Sequence, residues 1–300
     1  MARMTIGMIG LGRMGLSIAE RLHNAGYDVI GFDFSPEASV QAKNIGIDIV
    51  DSVIHVIQKA RVIWLMVPQG KPVDDILETC NSYFQAGDII IDGGNSNFHD
   101  SIRRYKELEK LHVSLLDCGT SGGLHGRDLG YCLMVGGDQE VYEKLTPVFK
   151  IIAAPDGCAY MGPSGSGHYV KMVHNGIEYA LLQAYAEGFH MLHDGEFKNL
   201  DLEKISNVWQ HGSIIRSWIL ELAHDVFTQD QDFKNISGAI GENATGQWTV
   251  DEAKKQQIPV DMIERALALR ALSRQSGGNY ATKLVALLRK QFGGHPVTKI

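Results

Sequence analysis

"TIGMIGLGRMGLSIAERLHNAGYDVIGFDF", residues 5–34, contains one complete structural unit. "TIGMIG" has the small and branched apolar residues of a buried strand, "LSIAERLHNAG" has helical periodicity ending at a glycine, and "DVIGFDF" is a second strand reaching Asp33. Between the first strand and the helix lies G-x-G-x-x-G, formed by Gly10, Gly12 and Gly15. Gly10 permits a tight turn, Gly12 lets the backbone approach a pyrophosphate, and Gly15 allows the helix to pack close to the strand. The helix N-terminus then favours the phosphate charge. The glycine pattern alone is weak, but the flanking strand and helix with an acidic residue ending the second strand make a dinucleotide site the expected reading. The expected cofactor contacts are Gly10, Leu11, Gly12, Arg13, Met14, Gly15, Asp33, Val67 and Asn95. Asp33 can accept both ribose hydroxyl hydrogens and repels a 2′-phosphate, so NAD is expected, with NADP used more weakly.

Outward from this unit, short apolar runs and amphipathic segments continue to alternate through "RVIWLMVP", "DIIIDGG", "VSLLDCG" and "YCLMVGG". The pattern predicts an α/β, doubly wound Rossmann-type domain over residues 1–163. From Ser166 onward helical periodicity takes over in "KMVHNGIEYALLQAYAEGFHML", "LDLEKISNVWQHG", "RSWILELAHDVF" and "VDMIERALALRALSR". An all-α domain over residues 164–300 is expected to bind substrate and mediate oligomerisation, with glycine-rich "MGPSGSG" at the join.

Bulk properties narrow the function. The 300 residues are 44% hydrophobic and 21% charged with a net charge of −7, an ordinary globular balance that disfavours general nucleic-acid binding. An anionic substrate must then be held by locally placed cations. No apolar run approaches the ~20 residues of a membrane span, and the opening "MARMTIGMIGLG" lacks a secretory cleavage pattern, so a cytoplasmic protein is expected. Cys80, Cys118, Cys132 and Cys158 form no C-x-x-C pair, and His190 and His193 have no third ligand nearby in sequence. Neither a disulfide framework nor a metal site is expected.

Three stretches carry chemistry. "DGGNSNFHDS", residues 92–101, and "DCGTSGGLHGRDLG", residues 117–130, each follow an apolar strand, where open α/β sheets bind ligands. Asn95 and Ser96 are candidates for holding substrate or nicotinamide. Ser121 supplies a hydroxyl, and the Gly122 and Gly123 amides could form an anion nest. In "YVKMVHNGIEY", residues 169–179, Lys171, His174, Asn175, Glu178 and Tyr179 fall at roughly 0°, 300°, 40°, 340° and 80° on a helical wheel. Apolar Val170, Met172, Val173, Ile177, Ala180 and Leu181 cover the remaining circumference, so the stripe is expected to face a pocket in an otherwise buried helix.

"GLGRMG", "DGGNS", "TSGGLHG", "GHYVKMVHNGIEY", "TGQW" and "RKQFGGH" occur in the order found in the 6-phosphogluconate dehydrogenases, decarboxylating enzymes of the pentose phosphate pathway. The chain resembles a short form of that family over nearly its whole length. The resemblance implies that Lys171 is the acid/base residue and Glu178 the second acid. It implies that Asn95, Ser121, Gly122, Gly123, His174 and Asn175 hold the sugar acid, and that Tyr179, Thr245, Arg270, Arg289 and His295 match phosphate-end positions. In longer members the terminal arginine and histidine come from a neighbouring subunit, which implies a homodimer or homotetramer with a shared C-terminal tail. Two departures stand out: Asp33-Phe34-Ser35 replaces an Asn-Arg-Thr used for NADP, and Asn243 replaces a substrate-binding lysine before "TG".

By this resemblance, Lys171, neutral when 6-phosphogluconate binds, accepts the 3-hydroxyl proton. That role requires depression from the usual lysine pKa of about 10.4 in a partly desolvated pocket. Glu178 later protonates carbon 1 of the enediol left by decarboxylation. The competing readings are another β-hydroxyacid dehydrogenase acting on a small unphosphorylated acid, such as a 3-hydroxyisobutyrate or tartronate-semialdehyde enzyme, and a nucleotide-sensing protein without turnover.

Overall fold

The structure is a computed structural model and describes residues 4–300. The chain forms two compact units, Met1–Met172 and Val173–Ile300. The first contains strands β1 (Thr5–Ile9), β2 (Asp28–Phe32), β3 (Asp48–Ile49), β4 (Val62–Leu65), β5 (Ile89–Asp92), β6 (Ser114–Ser121), β7 (Tyr131–Gly136) and β8 (Ala153–Gly162). Its helices are α1 (Arg13–Asn24), α2 (Pro36–Asn44), α3 (Val53–Lys59), α4 (Lys71–Cys80), α5 (Phe98–Glu109), α6 (Gly126–Leu129) and α7 (Gln139–Ile152). Helix α8 (Ser166–Asp194) begins in this unit and continues into the second, which also contains α9 (Leu202–Gln210), α10 (Trp218–Phe227), α11 (Ala244–Lys255), α12 (Asp261–Ser276) and α13 (Tyr280–Gly293).

The sheet order is β3-β2-β1-β4-β5-β6-β7-β8. The pairs through β6 are parallel in the doubly wound dinucleotide order; β7 runs antiparallel to β6, and β8 parallel to β7. Strand alternation divides the apolar residues between two faces. Ile6, Met8, Trp64 and Ile91 pack with Ile18 and Leu22 of α1 and Leu145 and Phe149 of α7. Ile9, Ile63, Leu65 and Ile90 pack with Val56 of α3, Val73 and Ile76 of α4, and Leu108 of α5. Both faces are therefore covered, as continuous strand hydrophobicity requires.

Register aligns Phe32, Ile9, Leu65, Asp92 and Asp117 in one row across the sheet. The loops after this row carry Asp33, the glycine turn, Val67 and Asn95. β6 continues to Ser121 because antiparallel β7 gives it a partner through Cys132.

The division between the two compact units lies within α8, between Met172 and Val173. The first turns of α8 are built into the sheet unit. Buried Asp117 accepts the Gly165 N–H at 2.7 Å and the His168 N–H at 2.8 Å, fastening the helix start to β6. Gly167 has no room for a Cβ beside the Asp117 and Met134 carbonyls. In the second unit, Leu182, Ala186 and Phe189 of α8 pack with Leu202 of α9, Leu220 and Phe227 of α10, and Leu284 and Leu288 of α13.

Candidate active site

The dinucleotide fingerprint folds as its glycines require. Gly10 has φ of 95°, and a Cβ there would strike the Met66 carbonyl; a Cβ on Gly15 would strike the Gly10 carbonyl. Gly12 is the N-cap of α1 and supplies no side-chain cap, while a Cβ on it would meet nothing within 4 Å. The space before the helix amides is open, so the residues present fit a dinucleotide pyrophosphate. Leu11 is buried, Arg13 exposed and Met14 half-buried along this turn.

Asp33 has a structural task as well. Its Oδ2 accepts the Leu11 N–H at 2.5 Å and its Oδ1 accepts the Ser35 N–H at 2.7 Å, fastening the glycine turn to the end of β2. A carboxylate offers about four acceptor positions, so acceptor capacity for ribose hydroxyls remains. Val67 belongs to the same group of loops: its Cγ1 lies 3.1 Å from an ideal Cβ on Gly10, and its carbonyl 3.1 Å from one on Gly94. Asn95 is exposed on the β5 loop.

Ser96, by contrast, is turned inward. It is 4% exposed and donates to Asp92 Oδ2 at 2.6 Å, so its hydroxyl serves the loop rather than a ligand. Ser121 ends β6, and Gly122 and Gly123 follow with φ of 122° and 53°, a left-handed pair that non-glycine residues rarely adopt.

The polar stripe lies on one continuous helix, but its surroundings reverse part of the sequence expectation. Lys171 and Asn175 are each 7% exposed and Tyr179 is 2% exposed, whereas Ile177 and Leu181 are 52% and 44% exposed. The polar side is the interior side. Lys171 packs on β6, where Gly119 leaves the space that a side chain would take from the lysine stem. His174 Nδ1 lies 3.0 Å from Asn175 Oδ1. Glu178 is half-buried one turn beyond.

The helical unit brings Tyr179, Asn243, Thr245, Arg270 and Arg289 together. The Arg270 guanidinium carbon lies 3.3 Å from the centroid of the Tyr179 ring. The Tyr179 hydroxyl donates to Asn243 Oδ1, which also accepts the Thr245 hydroxyl at 2.7 Å. Asn243 is the N-cap of α11, yet its side chain does not cap that helix because it is engaged with these two hydroxyls. Gly246 lets α11 pass the Tyr179 ring without a clash, which accounts for the glycine of "TGQW".

Arg270 is 3% exposed, and neither of its terminal nitrogens has a hydrogen-bond partner. Burial, reinforced by the nearby positive charge of Arg289, pulls its pKa down to about 10. Burial also lowers that of Arg289, whose Nη1 donates to the Gly241 carbonyl at 2.8 Å. Within the chain, α13 carries Arg289 to this pocket, and Leu284, Val285 and Leu288 pack α13 into the core of the helical unit. Near the end of the chain, the Ser237 N–H donates to the Thr298 carbonyl and the Ile300 N–H to the Asn235 carbonyl. His295 stands past the end of α13, with its ring 6.2 Å from that of Phe292.

Sequence reading missed three buried groups that anchor the loops of the sheet unit and the start of α8: Asp92, Arg104 and Asp117. Asp117 and Asp92 end apolar runs just before glycine-rich loops, a signal for loop anchoring that sequence could have offered. Arg104 gave none, since adjacent Arg103 has the same chemistry and is exposed to solvent.

Among known proteins, the NAD(+)-dependent, decarboxylating 6-phosphogluconate dehydrogenase of Haloferax volcanii is 45% identical over 301 residues, covering 99% of this chain and 99% of that relative. The solved 6-phosphogluconate dehydrogenase of Plasmodium falciparum, described in apo form, with its cofactor NADP+ and with its substrate 6-phosphogluconate, superposes with a TM-score of 0.82 at 30% identity. That match covers 91% of this chain and 62% of the longer one. The 3-hydroxyisobutyrate dehydrogenase of Mycobacterium tuberculosis, at 22% identity and a TM-score of 0.77, shares the fold over 97% of this chain and 99% of its own. The family profile for the NAD binding domain of 6-phosphogluconate dehydrogenase matches residues 5–162, and that for the 6-phosphogluconate dehydrogenase C-terminal domain matches residues 167–294. On these matches, the chain belongs to the 6-phosphogluconate dehydrogenase family.

Proposed function

We propose that the chain oxidises and decarboxylates 6-phospho-D-gluconate to D-ribulose 5-phosphate and carbon dioxide, with NAD as the preferred acceptor. The observation that carries this reading is Arg270: a guanidinium 3% exposed, with both terminal nitrogens unbonded and a second buried arginine nearby, suits a phosphate dianion. A small unphosphorylated hydroxy acid gives that pocket nothing to bind. NAD preference rests on Asp33, whose charge opposes a 2′-phosphate, with no arginine in the "DFSPE" that follows β2.

The remaining roles follow from α8. Lys171, 7% exposed, has the partly desolvated surroundings that a proton-accepting lysine needs, and it takes the proton of the 3-hydroxyl. A bound nicotinamide supplies the hydride acceptor for carbon 3. The resulting 3-keto acid loses its carboxylate as carbon dioxide while protonated Lys171 polarises the new carbonyl. Glu178, two helical turns further along, returns a proton to carbon 1 of the five-carbon enediol. His174, Asn175, Asn95, Ser121 and the Gly122 and Gly123 amides hold the hydroxyl and carboxylate groups.

Single turnover with 6-phosphogluconate and NAD, following NADH and carbon dioxide together, tests the proposal. One carbon dioxide per NADH is expected, and Lys171→Ala should abolish both. NADH without carbon dioxide, or equal kcat/KM on 3-hydroxyisobutyrate, would reject it.

A further inference from the structure

Arg104 projects from α5 with its side chain 0% exposed, and each of its guanidinium nitrogens has an acceptor. Nε donates to Asp74 Oδ1 at 2.8 Å, Nη2 to the Gly70 carbonyl at 3.0 Å, and Nη1 to Asp92 Oδ2 and the Ser96 hydroxyl, both at 3.3 Å. These acceptors come from two chain segments. Gly70 and Asp74 belong to the loop after β4 and the first turn of α4, which follows Val67; Asp92 and Ser96 flank the Gly93-Gly94-Asn95 turn after β5.

Asp92 winds its own loop into shape. Its Oδ1 accepts the Gly94 N–H at 3.2 Å while Oδ2 accepts the Ser96 hydroxyl at 2.6 Å, leaving Asn95 exposed at the tip. The turn passes so near Trp64 that Gly93 has no room for a Cβ. Arg104 joins this preformed turn to the neighbouring Val67 loop.

We infer that Arg104 is a positioning residue for the oxidation step, a planar fork that fixes the Val67 and Asn95 loops in one geometry at the nicotinamide end of the cofactor site. The inference rests on the reaction proposed above and adds a group that touches neither substrate nor cofactor. It acts on the reacting geometry more than on ground-state affinity, since the dinucleotide is also held at the Gly10–Gly15 turn and the phosphate at Arg270. Misplacement by about 1 Å can cost about 100-fold in rate with little change in binding.

The test compares wild type with Arg104→Lys, whose single ammonium head cannot span both loops, and with the charge-neutral pair Asp92→Asn/Arg104→Met. Both variants should reduce kcat per folded site by ~10–100-fold, while the KM values for NAD and 6-phosphogluconate stay within about threefold. The kinetic isotope effect with substrate deuterated at carbon 3 should rise in both. A merely structural role would lower the folded fraction and leave that isotope effect unchanged. If Arg104→Lys fails to fold, the double variant decides. Wild-type kcat and isotope effect in a folded variant overturn the inference. A wild-type enzyme inactive on 6-phosphogluconate overturns the proposed reaction and this inference with it, whereas an active wild type with unaffected variants removes only the role of Arg104.

Discussion

The two units each bury an arginine almost completely, and they treat it in opposite ways. Arg104, in the sheet unit, has Asp92, Asp74, Ser96 and the Gly70 carbonyl arranged around its fork. Arg270, in the helical unit, has a tyrosine ring over its guanidinium and two terminal nitrogens with no hydrogen-bond partner. A buried charge is tolerated only when its lost hydration is replaced, so a fully paired arginine belongs to the scaffold and an underpaired one marks a place for an anion. On the proposed reaction, the difference separates a residue that builds the site from one that binds the substrate phosphate.

Removing each arginine is the severest way to break this comparison. Arg104→Met strands Asp92 as a buried carboxylate and should cost about 3–5 kcal/mol of stability. Arg270→Met replaces an underpaired buried cation with apolar volume and should leave the ligand-free chain equally or more stable. Urea unfolding of both variants without ligand measures this; an Arg270→Met loss as large as that of Arg104→Met would put Arg270 in the scaffold as well.

Function should then show the reverse ranking in affinity. If Arg270 holds the substrate phosphate as proposed, Arg270→Met removes two charge-assisted hydrogen bonds to it, so the KM for 6-phosphogluconate should rise by ~100-fold or more while that for NAD changes little. A smaller effect has the same origin: inorganic phosphate should raise the unfolding free energy of wild type, by up to about 2.7 kcal/mol at a hundredfold excess over its Kd, and should fail to do so in Arg270→Met. Equal stabilisation of both proteins would place the anion elsewhere.

The sequence revealed the first of these regions more fully than the second. The glycine fingerprint, the apolar strands and the switch to helical periodicity are local patterns, and local patterns survive in one dimension. β8 is not legible in the sequence because "AAPDGCAYMG" combines Pro155, a left-handed Asp156 and a glycine with an irregular pairing register, so no two-residue period emerges. In sequence α13 shows only as a tail motif, although its Asn279–Thr282 capping box and buried Leu284, Val285 and Leu288 make it a core helix. In the stripe, spacing gave the shared face of Lys171, Asn175 and Tyr179, while the exposure of Ile177 and Leu181 depends on neighbours from distant sequence. The same limit hid Arg104. In "SIRRYKELEK" two arginines are adjacent, and only the fold decides that one turns inward to Asp92 while the other stays at the surface.

Acid should loosen the edge of the Arg104 cluster by a final, small amount, through Asp74. Burial pushes this carboxyl up, but hydrogen bonds and charge from Arg104 and Arg103 outweigh it and hold its pKa below the ordinary value. A carboxyl lowered in the folded state contributes stability above its unfolded pKa of about 3.9 and loses that contribution as pH falls through the lower folded value. Asp74→Asn should therefore be less stable than wild type at pH 6, with the gap closing as the pH falls below about 4. The gap is small because Asp74 and Arg103 are 37% and 44% exposed, where water screens the pair. Urea midpoints of the two proteins between pH 6 and pH 3 measure the closure. A gap that stays constant across this range would mean that Asp74 serves Arg104 as a hydrogen-bond acceptor whose charge is immaterial, and the cluster would then be held chiefly by Asp92.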